Sequence, residues 1–106
     1  MAQRARSVRR ARSQRPAPLR GHIVTWDVDS RDRALCASVG RFVLGHEVQK
    51  AGRTYRYPGL VARSGVLYLG QSVLFVTADH LAELRTFLRE NAVEYHTTVA
   101  TIGRSL

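Results

Sequence analysis

In the stretch His22–Leu35, "HIVTWDVDSRDRAL", an apolar segment runs into Asp27, then Asp29, Asp32 and the start of a helical pattern. A carboxylate closing a strand has two uses. It accepts hydrogen bonds from the backbone of a turn, or it holds a hard divalent cation beside a phosphate, where the metal polarises the phosphate and lowers the pKa of a bound water. One acid per chain makes a poor metal site unless a second copy supplies another. The reading adopted is that Asp27 forms a turn and Asp29 or Ser30 caps the following helix. No catalytic and no metal-ligating residue is then assigned, and no cofactor. Asp27 with magnesium is the alternative.

A second group is aromatic and basic. Tyr55 and Tyr57 stand two apart, hence on one face of a strand, with Arg53, Arg56 and Arg63 close by in sequence. Rings that stack on bases, beside cations that pair with phosphates, are how single-stranded nucleic acid is held on a sheet. Ordinary cross-strand packing of tyrosines is the competing explanation. The octamer of RNA-recognition domains is absent. His22, His46, His80 and His96 share no metal-ligand spacing, there is no phosphate-binding glycine loop, and no Ser-His-Asp pattern stands out. Cys36 is the only cysteine and falls at an apolar helical position, where a buried thiol is the expectation. A lone cysteine also excludes an internal disulfide and favours a reducing, intracellular and cytoplasmic setting. No apolar run approaches the ~18 residues of a membrane span.

The charge is unevenly placed. The chain of 106 residues carries a formal net charge of +9. Residues 1–20 hold Arg4, Arg6, Arg9, Arg10, Arg12, Arg15 and Arg20 and no acid, whereas the rest holds ten basic and eight acidic groups. Arg-, Ser-, Ala- and Pro-rich sequence with little to bury cannot offset its ordering entropy, so residues 1–20 read as a disordered tail. Such an arm suits nucleic-acid backbone, since each phosphate contact releases counterions. A cleaved transit peptide, a solvated tail without a role and a start placed too far upstream remain alternatives.

Residues 21–106 read as one folded domain. "HIVTWDV" alternates, with His22, Val24, Trp26 and Val28 inward, so it is a strand. Leu35, Val39, Phe42 and Val43 form one helical stripe, stopped at Gly45. "HEVQKAGR" reads as a loop. "TYRYPGLVA" and "GVLYLGQSVLFVT" read as two strands joined at Arg63-Ser64-Gly65, the first broken or at an edge at Pro58, the second bulged at Gly70. Thr77 caps a helix whose Leu81, Leu84, Phe87 and Leu88 face inward. "VEYHTTVATI" closes as a strand. This βαββαβ order predicts an α+β, ferredoxin-like fold, a four-stranded antiparallel sheet with both helices on one face. Val66, Tyr68, Leu74 and Val76 lie on one side of the paired segment, with Leu67, Leu69, Val73 and Phe75 on the other. Apolar residues on both sides call for a cover, and a homodimer across the sheet is the simplest.

"TWDVDSRDR", an aromatic-Asp-apolar step followed by an acidic turn and an Arg-bearing helix, resembles the opening of the small CRISPR adaptation proteins, the Cas-two family. "GQSVLFVTADHLAELRTFL" is similar to that family's strand before its Leu-rich second helix. The resemblance implies a ferredoxin-like dimer in which Asp27 from each subunit ligates magnesium or manganese and cuts RNA or DNA. The residues themselves point elsewhere, to a non-catalytic nucleic-acid-binding protein, most simply an RNA-binding one within a ribonucleoprotein particle. It would use the Arg-rich arm together with Arg53, Tyr55, Arg56, Tyr57 and Arg63.

Overall fold

A computed structural model describes residues 17–103. The chain is α+β: β1 (Leu19–Asp27), α1 (Arg33–Leu44), β2 (Gly45–Lys50), β3 (Arg53–Pro58), a 3-10 turn (Leu60–Ala62), β4 (Val66–Gly70), β5 (Val73–Val76), α2 (Ala78–Glu90) and β6 (Glu94–Ile102). One sheet has four strands in the order β4-β5-β1-β6, with every neighbour antiparallel. A separate two-stranded antiparallel ribbon, β2-β3, stands beside it.

The alternation in β1 does what its period requires. Val24 is fully buried and Trp26 nearly so; on β5 the buried Leu74 lies opposite Val24 and the buried Val76 opposite His22. Val39 and Val43 of α1 join the same core as Leu81, Leu84 and Leu88 of α2, so both helices cover one face of the sheet. Leu35, Phe42 and Phe87 border it, and the rings of Phe42 and Phe87 stack at 3.9 Å and tie the helices together. Burying side chains of this size stabilises by roughly 1.5–3 kcal/mol each.

On the far face, Phe75 is also fully buried. Its ring lies against Gly21, where an added Cβ would come within 2.8 Å of the ring's Cζ and 2.3 Å of the Val76 carbonyl oxygen. Part of that face is thus covered by the chain's own packing. Leu67 and Leu69 remain exposed.

Several local expectations are corrected. "HEVQKAGR" is not a loop but β2, the turn Ala51-Gly52 and the start of β3. The strand over "TYRYPGLVA" does break at Pro58, as its proline implies, and the chain then turns through Leu60–Ala62. "GVLYLGQSVLFVT" is a hairpin folded at Gln71-Ser72 rather than one strand, though its register does shift between Tyr68 and Gly70. The first helix starts at Arg33, and Asp32 is its cap, accepting from the Leu35 amide at 3.0 Å. Asp29 instead accepts from the amide and guanidinium of Arg31, which holds its carboxyl below the usual carboxylate range. Thr77 occupies the cap position of α2, but its hydroxyl donates to Asp79 and caps no backbone amide. Cys36 is exposed, not buried. Arg20, grouped with the tail by composition, is a strand residue opposite Thr101.

Candidate nucleic-acid interface

The ribbon is built by a two-residue turn. Ala51 and Gly52 both take positive φ, 53° and 75°, the geometry whose twist matches two antiparallel strands. At the other end, Gly45 and Gly59 lie back to back. A Cβ on Gly59 would stand 2.3 Å from the Gly45 nitrogen and 2.4 Å from the Val43 carbonyl oxygen. These glycines let the ribbon leave the body directly from the end of α1.

Register sorts the ribbon into two faces. His46 lies opposite Tyr57, Val48 opposite Tyr55 and Lys50 opposite Arg53, and these six residues share one face. The other carries Glu47 opposite Arg56 and Gln49 opposite Thr54. On the first face the His46 and Tyr57 rings stack at 4.9 Å and 15°. Val48 is 39% exposed, Tyr55 42% and Tyr57 50%. An aromatic and aliphatic strip therefore runs up to two cations at the tip. Nothing in the sequence alone marks His46, Val48 and Lys50 as part of this face. Of the residues the sequence offers, Arg53, Tyr55 and Tyr57 mark this face by their spacing, while the partner strand shows no strand pattern of its own.

The other sequence candidates disperse. Arg56 points to the opposite face, where it pairs with Glu47 at 2.9 Å. Arg63 lies beyond the ribbon and forms a two-pronged pair with Glu83, one prong at 3.0 Å, which raises its pKa. Both guanidiniums are partly engaged by a carboxylate, and both pairs are solvent-exposed. Arg4, Arg6, Arg9, Arg10, Arg12 and Arg15 lie outside the described residues, and Arg20 is exposed at the start of β1. On α2, Arg89 lies over the ring of Tyr95 at 6.0 Å, while Arg85 is half-buried.

Asp27 ends β1 on the face away from the helices, opposite Glu94. Both carboxylates are exposed, and His96 lies two residues along on the same face. Among the described residues no three His, Cys, Asp or Glu side chains are grouped to hold a metal. A cavity of about 250 Å³ opens between α1 and the β4-β5 turn, with Trp26, Val39 and Val43 in its lining and Cys36 and Ser72 among its polar atoms. No described helix is long and apolar enough to cross a membrane. The chain matches no protein-family model, no curated protein and no solved structure.

Proposed function

We propose that the protein binds nucleic acid without cleaving it, RNA in a ribonucleoprotein particle being the leading partner. The ribbon face of His46, Val48, Lys50, Arg53, Tyr55 and Tyr57 would be the contact surface. The observation that carries this reading is the exposure of three apolar or aromatic side chains beside two cations, on an element with no core of its own. Bases stack on such rings at about 1–3 kcal/mol each, and the cations take the backbone. The acid-free Arg4–Arg15 segment would add contacts whose strength falls with salt. The four-stranded unit itself we take to be ferredoxin-like with the ribbon inserted after α1. The order β4-β5-β1-β6 and the shared helix face support that.

A second reading has one specific observation behind it. Glu94 stands across from Asp27, so two carboxylates per chain, not one, are available to a shared cation in a dimer of the Cas-two kind. Both readings meet in one assay. Labelled single-stranded RNA and duplex DNA are incubated with magnesium, manganese or chelator and the parent chain, a chain with Arg53→Ala, Tyr55→Ala and Tyr57→Ala, and Asp27→Asn. The binding reading expects intact nucleic acid throughout, with affinity lost tenfold or more only in the ribbon variant. Metal-dependent cleavage that disappears in Asp27→Asn would replace it with the nuclease reading.

A further inference from the structure

The two edges of the four-stranded sheet are unlike. β4 is five residues long, ends in Gly70 and has its register broken between Tyr68 and Gly70. A short, bulged strand is the ordinary way a protein blunts an edge. β6 is nine residues long and pairs with β1 without interruption over its whole length. Its outer side pairs with no strand among the described residues. "EYHTTVATI" contains no proline, lysine or arginine, and Val99 within it is 75% exposed, the most exposed large apolar side chain of the described residues.

We propose that β6 pairs with β6 of a second copy, antiparallel about a two-fold at Thr98, giving a continuous eight-stranded sheet. That register overlaps all nine residues and places Glu94 opposite the partner's Ile102, Tyr95 opposite Thr101, His96 opposite Ala100 and Thr97 opposite Val99. The strand's one carboxylate, Glu94, thereby meets no like charge. β-branched side chains face one another along its middle, the pairs that stabilise a sheet, and Val99 gains a neighbour. This interface is distinct from one across the sheet face, where Phe75 is already buried by its own chain, and it does not depend on nucleic-acid binding.

A single strand pair buries less than the ~1,200 Å² of a standard complex, so the test is run at about 100 μM as well as lower concentrations. Light scattering on the full chain should show a concentration-dependent dimer. Val99→Lys, at an exposed position, should remain folded by circular dichroism and become monomeric, whereas Leu69→Lys on the sheet face should not change the association. Facing antiparallel residues stand ~4.5–5.5 Å apart at Cα, within disulfide reach of about 4.4–6.8 Å. In a Cys36→Ser background, Thr98→Cys should therefore form a disulfide-linked dimer on mild oxidation, and Leu67→Cys should not. A chain monomeric at the highest concentration, a dimer that survives Val99→Lys, or cross-linking through Leu67→Cys in place of Thr98→Cys would each overturn the proposal.

Discussion

The body and the ribbon are made of the same residue types put to opposite uses. In the body, Val24, Leu74, Phe75, Val76, Leu84 and Leu88 are wholly removed from water. In the ribbon, from Glu47 to Pro58, every residue is exposed, and Val48, Tyr55 and Tyr57 touch solvent although sequence of this kind ordinarily packs. A lone hairpin is marginal in water. This one is held by its turn, by the Gly45–Gly59 approach at its root, and by the His46–Tyr57 stack and Arg56–Glu47 pair. Exposed aromatic surface that contributes little to stability is explained most simply by something that binds it.

The sharpest way to break this comparison is truncation on each side. Leu84→Ala should cost about 2–5 kcal/mol, read as a lowered thermal midpoint. Tyr55→Ala should stay within about 0.5 kcal/mol of the parent, as surface changes do. Comparable losses at both positions would mean that the ribbon is part of the core. The root should be nearly as intolerant as the body. Gly59→Ala would drive a methyl into the backbone of Val43 and Gly45, and overpacking of that kind costs about 1–3 kcal/mol. Chemical denaturation is the measurement, and a neutral result would show that the ribbon does not depend on that close approach.

Those differences also explain what could be read in advance. β1, α1 and α2 were legible because one wet and one dry face impose a period of 2 or 3.6 on Val24 and Trp26, on Val39 and Val43, and on Leu81, Leu84 and Leu88. In the β4-β5 hairpin the alternation groups Val66, Tyr68, Leu74 and Val76 on one side and Leu67 with Phe75 on the other, but apolar residues on both sides leave the core face unmarked, and the turn at Gln71-Ser72 carries no clear signal. The ribbon has no dry face, so Gly45–Lys50 shows no apolar period and reads as a loop from sequence. The one available signal was Ala51-Gly52, an X-Gly pair between two polar runs, weakened because Ala is an uncommon residue at positive φ. The helix caps shifted to Asp32 because Asp29 spends its carboxylate on Arg31. At the site, Tyr55 and Tyr57 were legible from their spacing, while the pairing of Arg56 and Arg63 with Glu47 and Glu83 depends on register and tertiary approach that no local pattern encodes.

The smallest expected effect is electrostatic and lies at the start of α2. The Thr77 hydroxyl, with help from the backbone and His80, holds the Asp79 carboxyl below its ordinary range. A carboxyl whose folded pKa is depressed adds stability above its unfolded pKa, and loses it as pH falls through the folded value. Thermal midpoints of the parent should therefore fall slightly more than those of Asp79→Asn as pH drops below about 4. A pH dependence identical in the two proteins would show that the contact contributes nothing.

The central claim is that the ribbon, not the sheet face or Asp27, meets nucleic acid. Amide chemical shifts of the full chain, followed while a short single-stranded RNA is titrated in at low salt, test it most directly. The account predicts that within residues 17–103 the largest changes fall between His46 and Tyr57, centred on Lys50, Arg53, Tyr55 and Tyr57, with Ile23, Asp27, Glu94 and His96 nearly still. Changes concentrated on Asp27, Glu94 and His96, or none within the ribbon at saturating RNA, would contradict it.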